Sequence, residues 1–367
     1  TRFENFFLPI LVGSLFFIKP KFDKTYLIII LLMFLTSLTS VMLNMSFEFG
    51  LNESLRWIKF AFIFIFFSSI AVNNEVHIQK AILVCFVLMV FINSLQLVNP
   101  YGIGSFIAKF YTHHRSYYEM SDGVDRTFRL IGTAVNPNNN GVLWLLMFIY
   151  FLHQFLFKIG KYNIVLIGIS FLFIILTQSR TTLVAALLSA VIFMFIKGVN
   201  LKTLLYFFCV LFLGFILVIS LNFTYIMQLF LYNPLELHSL QLRFAVWREM
   251  WDFYLQKPFF GWGFIDGLDH FLNASPDNEH IYVLLLNGAL GLMIFLWLLI
   301  YPIIIYFSKM DKFKHVMIIV LFGISFLILG LTNVTIINVR VGLIFFAYSG
   351  ITYSFLAKRK LEIESKN

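Results

Sequence analysis

The sequence predicts an all-α fold, a polytopic helical membrane protein forming a single integral membrane domain over residues 1–367. Three observations carry that expectation. The chain is 60% hydrophobic and only 12% charged, with a mean hydropathy of +0.88, which excludes an ordinary soluble domain. Apolar runs of about 20 residues, the length that crosses a hydrocarbon core, recur along the chain. The basic residues are sorted by type, with lysines in alternate short connections and arginines in two long segments.

The apolar runs define eleven expected spans: 5–18, 25–44, 56–73, 79–98, 139–157, 162–178, 181–197, 201–222, 280–306, 314–332 and 337–356. Lysines 19, 21 and 24, 80, 158 and 161, 197 and 202, and 309, 312 and 314 mark alternate connections, and Lys358, Arg359 and Lys360 mark the tail. Positive charge is retained on the cytoplasmic side, so these loops and the C-terminus are expected in the cytoplasm. Two long loops, 99–138 and 223–279, then face outward, with an amphipathic helix expected over 239–256 in the second. Residue 1 falls outside, and the sequence starts at Thr1. The expectation is a further upstream span, about twelve in the native protein, unless one of the eleven segments is miscounted.

The remaining composition is less specific. The 47 phenylalanines read as lipid-facing filler. Cys85 and Cys209 fall within apolar runs and read as small core hydrophobes rather than a disulfide or metal pair. The net charge of +9 follows topology and does not point to nucleic acid. No cleavable signal pattern opens the chain, and no repeat of 20–50 residues stands out.

Arg180 interrupts the apolar pattern, in Thr177-Gln178-Ser179-Arg180-Thr181-Thr182. A guanidinium keeps its proton and is costly in hydrocarbon, so it needs a partner or water. Arg115, Arg126, Arg129, Arg243 and Arg248 lie in the two long loops, on the side expected for Arg180. An arginine-lined chamber suits phosphate.

The first long loop contains Asn99-Pro100, a turn signal, and His113-His114, which has no third ligand at metal spacing. It ends in Asn136-Pro137-Asn138-Asn139. Asn138 or Asn139 is expected to cap the following span, and that helix start is either an anion site or a cap alone. In the second loop, Arg243, Trp247 and Met250 share a helical face, with Trp251 and Tyr254 continuing it. The helix either lies at the membrane interface or roofs a chamber with Arg243 pointing inward. Lys257-Pro258 stops it, and Gly261-Trp262-Gly263 is a tight turn that lines a sugar surface or simply ends the helix. Asp277 and His280 are one helical turn apart. They are either a carboxylate-assisted base or a helix cap beside an interfacial histidine.

Four motifs together resemble the O-antigen ligase and polymerase family of bacterial polysaccharide assembly. They are Arg129-x-x-Gly132 with Asn136-Pro-Asn138, then Gln178-Ser-Arg180-Thr, then Arg243-x-x-x-Trp247 with Pro258-x-x-Gly261-Trp262-Gly263, and Asp277-Asn278 with Gly288. The resemblance covers about residues 126–300. It implies a GT-C-like, metal-independent glycosyltransferase without cofactor in the bacterial inner membrane, its site facing the periplasm. Donor and acceptor would be glycans on undecaprenyl diphosphate, with a chain-length regulator as a further partner. Arg129, Arg180 and Arg243 would hold the diphosphate, with Arg126 and Arg248 beside them. Asn136, Asn138, Asn278, Trp247 and Trp262 would serve substrate or cap helices. Ligases of the family often carry His-Asn where this chain has Asp277-Asn278, which leaves His280 or Asp277 as the base. Asp-Asn there, with Asn-Pro-Asn, looks more like a polymerase than a ligase.

Three other classes fit less well. A lipid-sugar exporter would put ionisable groups along a midplane path, whereas these arginines cluster toward one face, Arg56 and Lys59 excepted. A sugar-nucleotide transferase would need a soluble domain, commonly with Asp-x-Asp, and the chain has neither. A receptor or channel would not require arginines beside a base.

Overall fold

The computed structural model describes residues 22–71, 74–98, 130–132, 134, 136–157, 162–196, 238–264, 277–308 and 316–364, with 13, 198, 202, 205, 209, 212 and 216 as isolated positions. The described elements are helical: α1 Lys24–Leu43, α2 Phe47–Ala71, α3 Glu75–Val98, α4 Pro137–Leu156, α5 Asn163–Leu176, α6 Arg180–Ile196, α7 His238–Gln256, α8 Glu279–Ser308, α9 Val316–Leu329 and α10 Val339–Glu364. Nine of the eleven expected spans coincide with helices; 5–18 and 201–222 fall, but for isolated positions, outside the described residues. Among the described residues, four stretches are long and apolar enough to cross a membrane: Lys24–Leu43, Gly50–Ala71, Val76–Val98 and Glu279–Phe307. Asn163–Leu176, Arg180–Ile196 and Val316–Leu329 are shorter apolar helices.

Two helices outrun the hydropathy. α2 begins at Phe47 rather than 56, through Asn52 and Glu53, and α10 continues past 356 through Lys358, Arg359 and Lys360. Polar residues satisfy a helical backbone as well as apolar ones do, so a hydropathy limit marks the apolar part and not the helix end. Arg56, which the arginine clustering left aside, pairs with Glu53 one turn earlier on α2.

The chain divides into two compact units, 1–76 with 238–367, and 77–237. In the first, Asp23 caps α1 by accepting from Tyr26 N at 2.8 Å. Tyr26, Ile29, Ile30, Met33, Ser37 and Val41 form the buried stripe of α1. Ser37 and Ser54 bond across α1 and α2 at 3.0 Å. α2 lies close along α10, where Gly342 and Gly350 leave room for Phe60 and for the Phe64 carbonyl. Phe60 stacks on Phe346 at 4.7 Å.

In the second unit α4 is buried almost all round. Trp144 stacks on Phe173 of α5 at 4.3 Å. α6 presents Thr182, Ala185, Ala186, Ser189 and Ala190 as a small, buried face. Cys85 and Cys209 are free and exposed. The core role expected of them is therefore corrected: an apolar run does not say which of its positions face inward.

Candidate functional site

α7 carries the first part of the site. Val246 and Met250 are buried against Leu285 of α8, with Phe253, Trp262, Ile281 and Tyr282 around them. Arg243 extends the same face by one turn. Its Nε donates to Asp277 Oδ2 at 3.0 Å, and its Nη2 lies 2.9 Å from the same oxygen. Both side chains remain partly open, at 29% and 39%. Trp247, one turn along, packs edge-on to Phe244, with its Nε1 buried and without an acceptor among the described residues. Trp251 is 48% exposed, so it leaves the face it was expected to continue. Arg248 is exposed as well.

The start of α8 is held to the segment after α9. Asn278 is its cap: Oδ1 accepts from Ile281 N at 3.0 Å, while Nδ2 donates to Leu331 O at 3.2 Å. Glu279 is fully buried. Its Oε1 accepts from Thr335 N at 3.1 Å and Ile337 N at 2.8 Å, and its Oε2 from Thr335 Oγ1 at 2.6 Å. Sequence reasoning passed over Glu279; an acid at the first turn of an apolar span was the available signal.

Asp277 and His280 do not meet. The carboxylate goes to Arg243, and His280 turns its Nε2 to Leu327 O at 3.0 Å. A carbonyl only accepts, so Nε2 is the donor in this bond, and Nδ1 is buried and takes no hydrogen bond among the described residues. The ring also lies edge-on to Phe295 and against Gly330. One helical turn puts 277 and 280 on one side, but Asp277 precedes the helix, where that spacing does not apply.

The third and fourth motifs fit into each other. α8 is broken at Gly288, with φ 67° and ψ −170°. An unbroken helix would bond Ala289 N to Leu285 O and Leu290 N to Leu286 O. Here residues 258–263 are inserted between them. Ala289 N donates to Pro258 O at 2.8 Å and Leu290 N to Phe259 O at 3.4 Å. Leu285 O and Leu286 O accept from Trp262 N and Gly263 N, each at 2.9 Å. A Cβ on Gly288 would lie 2.2 Å from Phe259 O, and one on Gly261 2.5 Å from Leu285 O; both glycines have positive φ. Ser40 Oγ donates to Leu286 O at 2.6 Å, and Lys257 Nζ bonds Asn44 Oδ1. Trp262 donates to Phe253 O at 2.8 Å and carries Lys257 over its ring at 3.9 Å. One face of that ring is thus covered by a cation.

In the second unit, Arg180 opens α6 and is exposed. A cation at a helix N-terminus opposes the helix dipole, so a bound anion there would relieve both. Asn136, not Asn138 or Asn139, caps α4, its Oδ1 accepting from Asn138 N at 2.8 Å. Pro137 occupies the first helical position, where a missing N–H costs nothing, so the cap falls one residue before it. Asn140 Nδ2 donates to Asn93 Oδ1 at 2.8 Å, and Gly132 N donates to Gln96 Oε1 at 2.7 Å. A Cβ on Gly132 would lie 2.4 Å from Asn140 Oδ1 and 2.5 Å from Asn93 Oδ1, which accounts for the glycine of the first motif. Arg115, Arg126 and Arg129 lie outside the described residues. Among the described residues no three His, Cys, Asp or Glu side chains gather as metal ligands would.

No curated protein matches the chain. Residues 165–296 match the family model described as O-antigen ligase. That range contains the second, third and fourth motifs. It takes in Arg180, the Arg243–Asp277 pair and the inserted turn. Over residues 165–296 the chain is thus similar to O-antigen ligases, consistent with the ligase and polymerase family that the motifs resemble.

Proposed function

We propose that this protein is a membrane glycosyltransferase that polymerises lipid-linked oligosaccharide repeat units. The growing glycan leaves its undecaprenyl diphosphate and joins the non-reducing end of a new lipid-linked unit. Arg243 binds the leaving diphosphate through its guanidinium fork and stabilises the charge that develops there. This reading is carried by one observation: Arg243 and an acidic side chain meet, partly open, within the stretch that matches the O-antigen ligase model. Arg180 is assigned the same chemistry from its motif and its position at a helix start, with Arg129, Arg126 and Arg248 assigned by resemblance. The base is His280 or Asp277.

The accompanying topology is eleven spans in this chain within a GT-C-like architecture. The site faces the periplasm from the bacterial inner membrane, and the C-terminus is cytoplasmic. No metal takes part, and a chain-length regulator is a further partner. The exposed Phe244 and Trp251 of α7 suit a helix bedded among lipid headgroups.

The family description favours a second reading, a ligase that transfers the glycan to lipid A-core. Purified protein given lipid-diphosphate-linked repeat units, without metal or sugar nucleotide, separates the two. A ladder of longer lipid-linked chains is the polymerase result. Transfer only after lipid A-core is added is the ligase result. Silence in both from folded protein returns the exporter.

A further inference from the structure

Asp277 stands where a substrate anion is expected, and little besides Arg243 holds it. Arg243 Nε and Nη2 both reach the same oxygen, Oδ2, at 3.0 and 2.9 Å. Among the described residues Oδ1 takes no hydrogen bond. The next two residues are different. Asn278 is bonded at both ends of its amide, and Glu279 is buried with three bonds to its carboxylate. The backbone after Asp277 is therefore fixed while its carboxylate is tied only to the arginine, with 39% of the side chain open.

The same face of α7 has an unmet need. Trp247 Nε1–H, one turn from Arg243, is buried and finds no acceptor among the described residues, Asp277 included. A buried donor left unpaired is unfavourable. A phosphate offers more oxygens and more charge than a carboxylate, and can take a guanidinium fork and a neighbouring N–H together. Two anions beside one guanidinium also repel each other.

We propose that Asp277 is a displaceable internal counter-ion, which neutralises Arg243 while the site is empty and gives way to a diphosphate that takes the fork and the Trp247 N–H. The inference rests on the reading of Arg243 as a diphosphate-binding residue. It makes Asp277 a specificity-determining residue: a weak monovalent anion does not outcompete the resident carboxylate, whereas a polyvalent phosphate does.

The test is calorimetric titration of the full chain, in detergent micelles, with inorganic diphosphate as the probe. Asp277→Asn is expected to bind about tenfold more tightly than wild type, since both competition and repulsion are removed. Asp277→Glu, which keeps the charge, is expected to stay within about threefold of wild type. Trp247→Phe is expected to bind roughly threefold more weakly. Equal or weaker binding by a folded Asp277→Asn variant overturns the proposal, because the carboxylate then positions Arg243 instead of competing for it. If that variant does not fold, Asp277→Ser carries the same expectation and the same refutation. Arg243→Ala reports on the underlying reading: binding lost upholds it, while binding at wild-type strength removes it whatever Asp277 does.

Discussion

The two units solve the same problem in opposite ways. Each has an arginine to place near an apolar helix. In the first unit Arg243 comes with a carboxylate on the same oxygen-to-fork geometry, and the helix beside it is broken at Gly288 to admit residues 258–263. In the second, α4 begins with a cap and Pro137, runs on unbroken, and buries Asn140 against Asn93, while Arg180 stands exposed at the start of α6. Broken backbone inside an apolar segment survives only where other groups take its hydrogen bonds. The inserted turn does so residue for residue. The first unit thus satisfies its broken helix by exchange with another stretch of backbone, and the second satisfies its helix start by a cap and its interior by side-chain amides.

The largest expected effect follows from that exchange. Gly288→Ala puts a methyl group 2.2 Å from Phe259 O at φ 67°. It should cost about 4 kcal/mol, combining the strain of positive φ with a clash against backbone that cannot retreat. The check is the melting temperature of detergent-purified protein. An unchanged value would mean that the break is not built as described.

Glu279→Ala comes next. It strips the acceptors from Thr335 N, Ile337 N and Thr335 Oγ1, all at one buried carboxylate. The expected loss is about 3 kcal/mol, because these donors lose their acceptor away from water. Hydrogen exchange at Thr335 and Ile337 should rise before exchange in α4 does. Uniform change in both units would argue that the two do not respond separately.

Asn136→Ala should have the smallest effect, about 1 kcal/mol, the usual loss for an N-cap. It should leave diphosphate binding by Arg243 unaltered. A loss of several times that size would show that Asn136 does more than cap α4.

Much of the fold was legible because hydropathy and helix formation coincide in apolar segments, as with 25–44 and 162–178 against α1 and α5. It was less legible at α2, whose first residues are polar yet helical. Within the site, Arg243, Asp277 and Asn278 were readable as residue types at suggestive spacing. Their pairing was not: Asp277 to Arg243 joins residues 34 apart in sequence, and the expected partner, His280, faces Leu327 instead. Gly261, Gly263 and Gly288 could be read as motif letters only. Their physical reason is close packing with distant segments, which no local pattern expresses: Gly261 against the backbone of 285–288, Gly288 against Phe259 and Phe260, and Gly263 against Ser46 and the α1 backbone. Glu279 went unread because its partners lie 56 and 58 residues away.

In the proposed function Arg243 acts on substrate and not on Asp277 alone. The most direct measurement is the charge swap, Arg243→Asp with Asp277→Arg in one protein, assayed for glycan transfer from a lipid diphosphate and for melting temperature. The expected result is a folded protein with the ion pair restored and transfer reduced by about a hundredfold or more, since the guanidinium has left the position that meets the leaving phosphate. Transfer at the wild-type rate would contradict it and leave the pair a structural salt bridge.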